Sequence, residues 1–117
     1  MNIAVNVAGD EVGGGLGRAA TMAVATVEDG AIASWTTVDV GWDVSHEQID
    51  AGLAAEGGHH ARIVRFMREH EIRAVVAGHA GPPMVHTLGL MGIPVFSAGG
   101  DAREAALAAA TALADAA

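Results

Sequence analysis

Ala74-Val75-Val76-Ala77-Gly78-His79-Ala80-Gly81-Pro82-Pro83-Met84 sets an apolar run of strand type against a glycine-hinged loop, and that loop against the start of an amphipathic helical pattern. A strand that is apolar on both faces is one covered on both faces, which is the habit of parallel sheets. The glycines admit backbone conformations that a Cβ forbids, and Pro82 or Pro83 fits the first helical turn, where a missing N–H costs nothing. Strand, hinge and helix N-terminus in this order mark the crevice where open α/β sheets take up ligands. His79 then stands at the mouth of the crevice. Any strand-to-helix connection also favours Gly and Pro, so a purely architectural loop is the competing reading.

Working outward, a helix over Met84 to Met91 followed by Ile93-Pro94-Val95-Phe96 completes a βαβ unit. Asp101 with Glu104 three residues on forms a capping box for a last helix, whose alanine-rich run Ala105 to Ala117 offers a narrow contact set of Leu107 and Leu113. On the N-terminal side, a helical pattern from His59 puts Ile63, Phe66, Met67 and His70 on one stripe with Arg62, Arg65 and Glu69 opposite. Gly57-Gly58 should separate it from a short helix capped by Ser45 and Gln48, carrying Ile49 and Leu53, and ending near Glu56. Ile3, Val5 and Val7 alternate as a strand that Gly9 ends, and the runs 22–27 and 32–38 flank Asp29-Gly30, a hairpin signal. The expected fold is a single α/β domain over residues 1–117. It has a mixed five-stranded sheet, an antiparallel three-strand meander followed by alternating helices and strands, and helices on both faces.

With 117 residues, 51% of them hydrophobic and 17% charged, the chain has enough material for one ordinary core. No apolar run approaches the roughly 18 residues of a membrane span. The opening Met1-Asn2-Ile3-Ala4-Val5 lacks a basic n-region, so a cytoplasmic location is expected and no membrane partner. The absence of cysteine removes disulfides, thiolate ligands and Cys nucleophiles, leaving His, carboxylate or Met to hold any metal. A net charge of −8 without a single lysine is the wrong balance for a phosphate backbone, so nucleic acid is not an expected partner. Four of the six arginines, Arg62, Arg65, Arg68 and Arg73, crowd one segment.

Several side chains compete for a functional role. His79 can ligate a metal or donate to an anion held at the following helix N-terminus, where the dipole favours negative charge. His59 and His60 are neighbours that point roughly 100° apart on a helix, so they share one ion only in a non-helical entry after Gly57-Gly58. Arg18, among Gly13, Gly14, Gly15 and Gly17, can clamp an anion beside backbone N–H groups, although this is no Walker loop. His86 falls about one turn into the helix after Pro83, and His46 with Asp50 has ligand spacing that ordinary surface electrostatics also explains. His70 at a helix C-terminus complements the dipole. Asp10 is the lone carboxylate at a strand end, too few for a two-metal nuclease, and Ser34, Ser45 and Ser97 show no nucleophile elbow.

The chain resembles the dinitrogenase iron-molybdenum cofactor binding and biosynthesis family, a ribonuclease-H-like α/β fold. The resemblance rests on Met1-Asn2-Ile3-Ala4-Val5, Gly17-Arg18-Ala19, Val27-Glu28-Asp29-Gly30 and the Gly78-to-Pro82 loop. It continues through Leu88-Gly89-Leu90-Met91-Gly92-Ile93-Pro94-Val95 and Ala98-Gly99-Gly100-Asp101 with Glu104-Ala105. It implies carriage of an iron-molybdenum or iron-sulfur-type cluster for delivery to an acceptor protein, without catalysis, and it transfers Arg18, Gly78, His79 and Gly81. The family typically shows His-Phe-Gly-Arg after the first strand where this chain has Gly15-Leu16-Gly17-Arg18, so a histidine and an aromatic are replaced.

The expected function is therefore a non-catalytic carrier of a metal cluster or other small anionic ligand. Its site would be made by Arg18, His59, His60, Gly78, His79 and Gly81, with His79, His59 and His60 as metal ligands. The rival is a protein interaction module without metal, using Met84, Leu90 and Met91 or exposed Trp35 and Trp42 as its contact patch. Such a domain can also pair as a homodimer through an exposed sheet edge.

Overall fold

The computed structural model describes residues 1–44 and 56–116, with side chains of the first helix described from His60 onward. The Ser45–Gln48 capping box and the His46/Asp50 pair lie outside the described residues. Strands β1 (Asn2–Ala8), β3 (Thr21–Glu28) and β4 (Ala31–Asp39) form the expected antiparallel meander. Strands β5 (Ile72–Ala77) and β6 (Val95–Ser97) add on the other side of β1, both parallel to it, in the order β4-β3-β1-β5-β6. The strand ends before Gly9 as read, but the chain then folds back through Gly9-Asp10 and adds to the five expected strands a two-residue one, β2 (Glu11–Val12), paired antiparallel with β1. Gly9 makes the reversal at φ +63°.

Two local signals work as read. Glu28 pairs with Ala31 across Asp29 and Gly30, whose φ values of +52° and +76° are those of the two-residue hairpin turn that follows the strand twist. The Asp101 carboxylate accepts the Glu104 N–H at 2.9 Å, capping α3 (Ala102–Ala116).

One face of the sheet is covered by α1 (Glu56–Glu69) and α2 (Pro82–Leu90), which bury Ile63, Phe66, Met67, Met84 and Leu88 against Ala4, Met22, Val24 and Val75. Each large side chain so buried contributes on the order of 1.5–3 kcal/mol. The opposite face is covered by α3, making three layers. The buried stripe of α3 is Ala102, Ala106, Ala109 and Ala110, while Leu107 and Leu113, expected as its contacts, flank it half-buried. No described helix is long and apolar enough to cross a membrane.

Three other expectations are corrected. The described span of α1, Glu56–Glu69, includes Gly57-Gly58, so these glycines do not break it and His59 and His60 are both helical. Trp42 is not exposed: it is buried in the core, its ring edge-on to Phe66 with centroids 5.4 Å apart. Trp35 is half-buried on the α3 side, with the Arg103 guanidinium 4.6 Å above its ring.

Candidate functional site

The parallel strands β1, β5 and β6 all end at one edge of the sheet, and the loops that follow them are tied together there. The tie is Asn6, a polar side chain only 3% exposed in an otherwise apolar stretch of β1. Its side-chain amide nitrogen donates to the Gly14 and Gly15 carbonyls, both at 3.1 Å, and the Asn6 backbone carbonyl accepts the Gly13 N–H at 2.7 Å. This satisfies a buried amide that would otherwise be costly and fixes the glycine loop over the end of the strand.

The glycine loop in turn docks on the end of β5. Gly78 N–H points between the Gly13 and Gly14 carbonyls at 3.0 and 3.1 Å, His79 N–H reaches Gly14 O at 3.3 Å, and Leu16 N–H donates to His79 O at 2.8 Å. Residues 14–16 thus extend the sheet by one short parallel bridge, Gly15 beside His79. A Cβ on Gly78 would come within 2.6 Å of Gly13 O, so this approach requires glycine. Leu16–Arg18 then forms a 3-10 turn whose buried Leu16 anchors it and whose Arg18 is exposed. The loop after β6 joins from the far side, with Val12 N–H donating to Gly100 O and Ala102 N–H to Asp10 O. Asp10 lies exposed in the turn between β1 and β2.

His79 stands exposed at the centre of this cluster. Beyond it, Gly81 caps α2 in an extended conformation without a side-chain cap, and Pro82 and Pro83 fill the first helical positions. Neither proline has an N–H, and Met84 and Val85 N–H both turn back to Gly81 O at 3.1 Å. The first turn of α2 therefore offers its dipole but not the ring of donors that usually holds an anion at a helix start. Polar recognition here falls to the His79 imidazole, Arg18 and the backbone of the glycine loops.

Of the residues expected to form the site, Gly78 and His79 are bonded to the glycine loop, Arg18 follows that loop in the 3-10 turn, and Gly81 lies two residues beyond His79 at the start of α2. His60 is half-buried on α1, and the side chain of His59 lies outside the described residues. Their helical setting removes the irregular entry in which the two could have shared an ion. His86 is exposed on α2, and His70 is half-buried with its ring 4.4 Å from Phe66. Among the described residues no three His, Asp or Glu side chains converge on one point. Cavities of about 460 and 320 Å³ lie elsewhere, and neither is lined by a residue of the cluster. Asn6 was missed from sequence, although one polar residue inside a strand otherwise buried on both faces was its signal.

A family model described as dinitrogenase iron-molybdenum cofactor matches residues 1–112. Among solved structures, the crystal structure of PH0822 superposes with a TM-score of 0.68 at 15% identity, covering 90% of this chain and 86% of that one. At that identity the likeness speaks for the fold alone. No curated protein matches the sequence.

Proposed function

Because the chain belongs to the dinitrogenase iron-molybdenum cofactor family, we propose that it is a non-catalytic carrier that takes up an iron-sulfur-based or iron-molybdenum cluster, or a comparable anionic metallo-ligand, at the Arg18–His79 loop cluster and passes it to an acceptor protein. The observation that carries this reading is the bonding of Gly13–Leu16 to Gly78-His79 over Asn6, which holds an exposed imidazole beside the Arg18 turn on a rigid base. The cluster is cargo, not a resident group, and the donor set suits cargo. With no cysteine, the chain has no thiolate to hold a cluster permanently, and a single imidazole is a grip that can be released.

The test is anaerobic titration of the purified protein with ferrous iron plus sulfide, and separately with a preformed molybdenum-iron-sulfur cluster, reading retained metal and visible absorption. Stoichiometric retention by the wild type and its loss in His79→Ala are expected. Wild type that retains no metal, or His79→Ala that retains as much, removes the carrier reading.

A further inference from the structure

At the opposite end of the sheet from His79, the C-terminal ends of α1 and α2 and the start of β5 enclose an open cavity of about 460 Å³. Its floor is Met67, Ile72 and Ile93, all buried. Its rim is Arg68, Glu71 and Arg73 on one side and Leu90, Met91 and Gly92 on the other. Leu90 is 77% exposed, more than any other large apolar side chain among the described residues. The backbone that carries it is set by the helix end: Gly92 turns at φ +77° while Met91 and Ile93 N–H both return to Leu88 O. Glu71 is likewise set, at φ +52°, by its N–H to Arg68 O.

The charge around this cavity runs against the rest of the molecule. Residues 60–93 carry Arg62, Arg65, Arg68 and Arg73 against only Glu69 and Glu71, within a chain of net charge −8. Both arginines of the rim are exposed. Guanidinium groups flanking an apolar floor, next to an exposed leucine, form the combination that a partner contact favours, where arginine and apolar anchors carry most of the energy. An acidic macromolecule would be repelled elsewhere on this surface and steered here.

We infer that this groove is a docking site for a partner protein, taken up through an acidic segment bearing an aliphatic or aromatic anchor. The anchor enters between Leu90 and the Met67–Ile93 floor, and its flanking carboxylates pair with Arg68 and Arg73 on either side of Glu71. The cavity can hold one or two side chains, not a folded surface. Because it lies at the far end of β5 from His79, the crevice stays open while the partner is bound. The inference does not depend on what the crevice holds.

The test uses the full-length, cargo-free protein in parallel selections from a display library of random peptides about twelve residues long, on wild type and on the Arg68→Glu/Arg73→Glu double variant. Wild type should enrich Asp/Glu-rich sequences around a Leu, Ile, Met or Phe, which the double variant does not enrich. The best peptide, labelled and followed by fluorescence anisotropy, should bind at least about ten-fold more weakly to the double variant and to Leu90→Ser, and more weakly as salt is raised. Arg68→Lys/Arg73→Lys should retain most of the binding. All three positions are exposed, circular dichroism will report folding, and Leu90→Ser decides alone if the double variant does not fold. No enriched peptide, a basic or uncharged consensus, or unchanged affinity in Leu90→Ser overturns the proposal. A concentration-dependent dimer abolished by Leu90→Ser also overturns it, assigning the groove to a second copy of the chain.

Discussion

Gly78 and Gly14 sit in the same loop junction and should answer substitution in opposite ways. A Cβ at Gly78 meets the Gly13 carbonyl at 2.6 Å, a backbone atom that cannot swing aside, whereas a Cβ at Gly14 meets nothing within 4 Å. Gly78→Ala should therefore cost about 1–3 kcal/mol by urea denaturation, and Gly14→Ala should stay within about 0.5 kcal/mol of wild type. Equal losses would mean that the close approach is not what glycine serves there. Asn6 makes a second prediction. Asn6→Ala removes the side-chain amide that bridges the Gly14 and Gly15 carbonyls, leaving them only the backbone N–H groups of Gly78, His79 and Arg18, and opens a small void under the loop; it should cost about 1–3 kcal/mol. Asn6→Asp puts a carboxylate against the same two oxygens, which raises its folded-state pKa above the unfolded value of about 3.9. The penalty is then absent where the carboxyl is protonated in both states and grows as pH rises through the folded-state pKa. Stability curves of the two variants should draw together on acidification and separate toward neutral pH. A constant gap would place the new carboxylate in water. His79 and Gly78 could be read from sequence because the strand, hinge and helix around them are local. Asn6 was passed over because the alternation of Ile3, Val5 and Val7 reads as one buried face with Asn6 on the other, although its partners Gly14 and Gly15 lie only a short loop away.

At the scale of elements, local chemistry decided what could be read. The Asp29-Gly30 hairpin and the Asp101 cap are complete within a few residues, and both appear as expected. Gly57-Gly58 misled because a glycine lowers helix propensity by only about 1 kcal/mol, less than the burial of Ile63, Phe66 and Met67 returns to the same helix. β2 is two residues long and has no periodicity to read, existing only because Gly9 lets the chain turn back on β1. The cap offers a clean measurement. Asp101→Ala should lower stability by about 1 kcal/mol through loss of the Glu104 N–H acceptor, and Asp101→Asn should recover most of that. If Asn and Ala prove equally damaging, the loss does not come from the cap acceptor.

For the whole molecule, the two sides of the sheet are built on different principles. The α1–α2 side interlocks large residues, Trp42, Phe66, Met67 and Leu88, and this is why Trp42 proved to be core although a Trp after Gly41 in a polar stretch suggested a surface contact. The α3 side instead brings a helix close to the strands on alanines, so tightly at Ala106 that no surface remains exposed. Leu107 and Leu113 do pack against this core, but from the flanks; the centre of the stripe is alanine because what α3 needs there is proximity, and volume would push it away. The same economy leaves space toward its C-terminal end, a cavity of about 320 Å³ between Met1, Val27, Leu107, Ala110, Thr111 and Ala114. Substitution by leucine should then change sign along one helix. Ala106→Leu overpacks a filled contact and should cost about 1–3 kcal/mol, while Ala114→Leu, exposed at the rim of the cavity, should gain about 0.5–1 kcal/mol by covering apolar surface. Urea midpoints moving in opposite directions at constant slope is the expected outcome. Destabilisation by both would show that α3 packs tightly over its whole length, and tolerance at Ala106 would show that the alanine contact is not close.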